Sequence, residues 1–139
     1  MIRYAAAYLA AALAYVAMDV GWLSFASARL YRPVLGDLLA PRISLAPGVV
    51  FYLLYVAGVM VLAVAPALKA GGWTRAALSG AVLGLVAYGT YDLTNQATLR
   101  TWATRLSALD MGWGMIATTG AALAGFWAAT AAAHALGTE

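Results

Sequence analysis

The chain has 139 residues, of which 65% are hydrophobic and 9% charged, with 8 basic and 5 acidic side chains and a net charge of +3. Its mean hydropathy is +0.85, whereas a soluble domain carries about 25% charged residues to cover its core. This excludes an ordinary soluble enzyme, a disordered chain and a nucleic-acid-binding domain, and leaves a small integral membrane protein with a single domain, 1–139. With no cysteine and one histidine, His134, the chain has no disulfide, thiol or iron–sulfur chemistry and no bis-histidine haem site of its own. No cofactor and no metal site are expected.

Crossing the hydrocarbon layer takes about 20 apolar residues. Four stretches qualify: 4–25, 48–68, 76–95 and 109–133. Their Ala, Leu, Val and Gly content, without strict alternation, predicts helices rather than barrel strands. The fold class is therefore an all-α membrane protein, a four-transmembrane-helix bundle. The first stretch resembles a signal peptide, with Arg3 ahead of it and Ala26-Ser27-Ala28 after it. Its length and the presence of Asp19 read better as a retained span.

The first connection, 26–47, is the longest and contains Pro33, Pro41 and Pro47. Within it, 30–39 is expected to form a short interfacial segment, with Leu30, Val34, Leu35 and Leu38 at the acyl boundary. The second connection is a turn around Ala70-Gly71-Gly72-Trp73, and the third, 96–108, carries Arg100, Trp102 and Arg105. Short second and third connections make the helices they join antiparallel neighbours. Trp73, Trp102, Tyr4 and Tyr31 read as interfacial anchors.

Connections one and three hold five arginines, Arg29, Arg32, Arg42, Arg100 and Arg105. The other side holds three basic residues, Arg3, Lys69 and Arg75. The positive-inside rule places the five in the cytoplasm and both termini outside. Their charge also suits lipid headgroups.

Small residues mark the expected helix contacts: Gly80 and Gly84 on the third helix, and Ala117, Ala121, Gly125 and Ala129 on the fourth. Polar residues gather elsewhere. Asp19, Asp92 and Asp110 lie in or beside spans, where a carboxylate costs ~2.5–3.5 kcal/mol. Helical spacing puts Tyr8, Ala12, Tyr15, Asp19 and Trp22 on one face of the first helix. It does the same for Tyr88, Tyr91, Asp92 and Asn95 on the third, and continues Asp110, Trp113 and Gly114 into the small-residue stripe of the fourth. Tyr52, Tyr55 and Val59 line one side of the second helix. Given the alternating direction of the helices, all these groups fall in the arginine-rich half.

The candidate cluster is Asp19, Trp22, Tyr88, Tyr91, Asp92, Asn95, Asp110 and Trp113. Met18-Asp19-Val20-Gly21-Trp22 and Leu109-Asp110-Met111-Gly112-Trp113 share one pattern on helices of opposite direction. That predicts Trp22 beside Asp110 and Trp113 beside Asp19, each indole donating to a carboxylate. The only nearby compensating charges are Arg29, Arg100 and Arg105.

The strings Asp19-Val20-Gly21-Trp22-Leu23, Tyr31, Phe51-Tyr52-Leu53-Leu54-Tyr55-Val56-Ala57-Gly58 and Tyr88-Gly89-Thr90-Tyr91-Asp92-Leu93-Thr94-Asn95-Gln96-Ala97-Thr98-Leu99-Arg100, followed by Asp110 and Trp113-Gly114, cover nearly the whole chain. They resemble a bacterial family of small predicted inner-membrane proteins known only as a domain of unknown function. The resemblance implies four helices in the bacterial inner membrane and brings no catalytic residue.

Three readings of function fit. The chain handles a lipid or other hydrophobic molecule with an anionic headgroup bound by the arginines, as enzyme or carrier. Alternatively it is an accessory subunit of a larger inner-membrane complex, or a small proton- or cation-coupled transporter. The expected partner is membrane lipid, with a homodimer or larger membrane complex left open.

Overall fold

The computed structural model describes residues 1–70 and 72–137. Helix α1 covers Ile2–Ala26, an Ala-rich run with no proline before Pro33 to stop it. It continues beyond the expected end through a π-helical turn, Ser27–Tyr31. Helix α2, Arg32–Leu35, and a 3-10 turn, Gly36–Leu38, follow. The expected interfacial segment is therefore a prolongation of the first helix, broken at Gly36, whose φ of +47° an L side chain rarely adopts.

The second span is also one continuous helical rod, Leu45–Ala70. It comprises α3, Leu45–Val59, a π-helical turn, Met60–Val64, and α4, Ala65–Ala70. Both π-turns end two residues before a proline, Pro33 and Pro66. A proline inside a helix donates no N–H and its ring strikes the carbonyl four residues back. Widening the preceding turn by one residue makes room for the ring. Pro47 needs no such turn, because the first N–H groups of α3 have no intrahelical acceptor.

Helix α5 runs Gly72–Thr98 and α6 runs Thr104–Ala135; Gly137, at φ +61°, follows the last turn of α6. Among the described residues there are no strands, and four helical segments are long and apolar enough to cross a membrane: Ile2–Leu38, Leu45–Ala70, Gly72–Thr98 and Thr104–Ala135. Each extends beyond its sequence-based bounds.

Helix α6 is the central element, packed on α5 along one side and on α1 along the other. Both pairs are antiparallel. Along α5, Gly80 faces Thr118 and Ala122, while Gly89 faces Met111. Along α1, Gly120 faces Met18, while Gly125 faces Ala7 and Ala11. The small stripe Ala117, Ala121, Gly125 and Ala129 is buried throughout. A Cβ on Gly84 would run into the carbonyl of Gly114, so these backbones touch directly and gain the close contact that holds helices together in lipid. Helix α3 lies against α1 and α6, and the rod packs on α5 mainly from the π-turn at Met60 onward.

Candidate functional site

The polar residues collect at the end of the bundle that carries the first and third connections. Helix α1 delivers Asp19 and Trp22 there in its last two turns, and α6 delivers Asp110 and Trp113 in its first turns. Trp22 and Trp113 stack with ring centroids 4.9 Å apart and planes 7° apart. The Trp22 indole Nε1 donates to Asp110 Oδ1 at 3.1 Å. The Tyr31 hydroxyl donates to the same oxygen at 2.5 Å and itself accepts from Trp22 Nε1 at 3.2 Å.

The Trp22–Asp110 half of the expected reciprocal pairing is present, and the other half is absent. Asp19 Oδ2 accepts from Tyr52 at 2.6 Å instead, and Trp113 Nε1 is buried with no acceptor among the described residues. With the indoles stacked nearly parallel, only the Trp22 N–H reaches the Asp110 carboxylate.

A second layer lies below. Tyr15, fully buried, joins α1 to α5 through a 2.7 Å bond between its hydroxyl and that of Tyr88. Its ring packs on Tyr55 at 4.9 Å, and the Tyr55 hydroxyl bonds Thr118 Oγ1 at 2.8 Å. The Tyr88 ring lies directly on Gly114, where a Cβ would strike it.

A cleft of about 1040 Å³ opens beside these groups. Asp19, Trp22 and Ser24 of α1 line it together with Tyr31, Arg32 and Leu35 of the prolongation. Phe51 and Tyr55 come from α3, Tyr88 and Tyr91 from α5, and Asp110 from α6. Both acids are more than nine-tenths buried, at 8% and 4% exposed. Each has one oxygen engaged by the bonds above. Asp19 Oδ1 and Asp110 Oδ2 take no hydrogen bond from a described residue.

The other expected members are placed differently. Asp92 is fully buried and does not line the cleft, and neither of its oxygens has a hydrogen-bond partner among the described residues. Asn95 is half-buried and forms no hydrogen bond to a carboxylate among the described residues. Tyr91 is 54% exposed and sets its ring edge-on to Trp102 at 5.5 Å. No arginine folds onto these acids: the partners of Asp19 and Asp110 are hydroxyls and an indole. Arg32 lines the cleft, Arg29 stacks over Phe25 at 4.4 Å, and Arg42, Arg100 and Arg105 are exposed.

Two residues read as interfacial anchors belong inside. Tyr31 is the closest donor to Asp110. Trp102 is buried and donates to Ser107 Oγ at 3.0 Å, and that hydroxyl donates to Gln96 Oε1 at 2.7 Å. The nine-residue interval from Trp22 to Tyr31 puts the two on opposite faces of a regular α-helix. The extra residue in the π-turn brings them onto one side. An aromatic residue placed nine after Asp-x-x-Trp and two before a proline is the signal that would have found Tyr31.

No curated protein and no solved structure matches the chain. A family profile does match, over residues 4–127. The chain belongs to the family described as predicted membrane protein DUF2177, whose function is unknown.

Proposed function

We propose that this protein binds an amphiphilic lipid-like molecule, head inward, in the cleft at the end of the bundle carrying the first and third connections. The observation that supports this most is the cleft itself. About 1040 Å³ is room for a lipid headgroup and the start of its chains, and apolar and aromatic side chains meet a few fixed polar groups there. Arg32 at its edge suits the anionic phosphate of such a head. Arg29, Arg42, Arg100 and Arg105 act on the surrounding headgroup layer rather than in the cleft. The protein works in the bacterial inner membrane with this end in the cytoplasm, following the arginine bias of the connections.

Lipid extracted from protein purified in mild detergent and taken through size exclusion tests this reading. Retained phospholipid is expected, in near-equal molar ratio, and Arg32→Gln lowers it. Protein that carries no lipid, rebinds none, and instead co-purifies with a fixed second membrane protein overturns it in favour of an accessory subunit.

A further inference from the structure

An apolar groove adjoins the cleft. Phe51 and Tyr55 line both, and on their far side a space of about 270 Å³ is bounded by Leu54, Gly58 and Leu83. The groove lies between α3 and α5, short of the π-turn at Met60 from which the rod packs on α5. A molecule whose head sits in the cleft can therefore run its chain out between these two helices, along their exposed apolar flanks at Leu53, Leu54 and Val82.

The chemistry of the head follows from the two acids. A carboxylate is acceptor-only, so Asp19 Oδ1 and Asp110 Oδ2 call for donors that no described residue brings to them. The walls around them are aromatic, and a cation gains from ring faces as well as from a carboxylate, most strongly where water is excluded. A metal ion is a poorer fit, since the described residues hold no group of three or more acidic, His or Cys side chains that could ligate one. Arg32, on the same cleft, supplies the opposite charge.

Resting on the lipid-binding reading, we propose that the occupant is a zwitterionic aminolipid. Its ammonium donates to Asp19 and Asp110, its phosphate meets Arg32, and an acyl chain leaves through the groove at Leu54, Gly58 and Leu83. An amine adds three donors and a charge, which a glycerol head lacks.

The full-length protein in detergent is offered phosphatidylethanolamine, its N-acetylated derivative and phosphatidylglycerol of identical chains, and bound lipid is counted by native mass spectrometry. Phosphatidylethanolamine is expected to exceed each of the others by about tenfold. Asp19→Asn and Asp110→Asn each bring that ratio to within about twofold, whereas Arg32→Gln weakens phosphatidylethanolamine and phosphatidylglycerol alike. Gly58→Leu, at a site where a Cβ meets nothing within 4 Å, fills the groove and lowers binding of every lipid. Glycerophosphoethanolamine, which has the head without chains, is expected not to compete.

Equal binding of the three lipids, or a preference that survives whichever aspartate variants fold, overturns the ammonium site while leaving lipid binding standing. Full competition by the chainless head, or unchanged binding to Gly58→Leu, overturns the chain groove. No binding of any lipid overturns the parent reading and this one together.

Discussion

The indole rings of Trp22 and Trp113 lie face to face at 4.9 Å, yet only one of their two N–H groups has an acceptor among the described residues. Trp22 donates to Asp110 and Tyr31, while the Trp113 N–H is buried and unmatched. The two tryptophans occupy equivalent places in the Asp-x-Gly-Trp segments of α1 and α6, so their energetic difference lies in the hydrogen bonds rather than the stack.

Trp22→Phe and Trp113→Phe remove the same volume from the two sides of one stack. Trp22→Phe also removes a donor from the buried Asp110 carboxylate, at a further cost of about 1–3 kcal/mol. Trp113→Phe removes a donor that has no acceptor. Thermal unfolding in detergent should place Trp22→Phe clearly below Trp113→Phe. The reverse order would contradict this hydrogen-bond assignment.

Asp92 has no cationic partner among the described residues, so Asp92→Asn leaves no buried guanidinium behind. Breaking a buried ion pair typically costs ~3–5 kcal/mol. Asp92→Asn is therefore expected to stay within about 1 kcal/mol of the parent, because its amide replaces a carboxyl group without hydrogen-bond partners. A drop in unfolding temperature as large as that of Trp22→Phe would mean that Asp92 has a partner in the membrane.

Gly84→Ala would push a methyl group into the Gly114 backbone, and Gly114→Ala would push one into the Tyr88 ring. Neither α5 nor α6 can shift without parting along its length, so each should lose ~1–3 kcal/mol or more. Gly112→Ala, with nothing within 4 Å of the added carbon, should unfold with the parent. Equal stability of all three variants would mean that α5 and α6 pack less closely than described.

The chain has no cysteine, so single cysteines report sidedness without background. In bacterial cells Asp37→Cys, in the first connection, should react with a membrane-impermeant maleimide only after permeabilisation. Lys69→Cys, at the opposite end of the bundle, should react in intact cells. The opposite labelling pattern would invert the orientation and place the cleft on the outer face.

Much of the fold was legible because helical faces are periodic. Three-and-four spacing put Asp19 with Trp22, and Asp110 with Trp113, on shared helix faces, and the alternating direction of the helices put both faces at one end. The stripe through Ala117, Ala121, Gly125 and Ala129 is the buried face of α6. Legibility ended where periodicity is interrupted or silent. Tyr31 reached Asp110 through a π-turn, which shifts the phase of every residue after it. Trp102 sits in a connection, where an indole turned inward and one turned to lipid have the same sequence. The pairing of Tyr15 with Tyr88 joins helices distant in sequence, and spacing within one helix says nothing about which hydroxyls meet across two.

The π-turn at Met60–Val64 makes the second span a rod of two phases. Winding the same residues as a regular α-helix, which Pro66→Ala would allow, would rotate one half against the other by about 100°. Ala63, Val64 and Ala67 are held in place by the neighbouring helices, so the rotation would fall on the half containing Phe51, Tyr52 and Tyr55. Tyr52 would leave Asp19, and the wall shared by the cleft and the groove would swing away. One proline codon changed in the middle of a hydrophobic span, with length unchanged, would leave a membrane-inserted protein whose aromatic wall faces the wrong way.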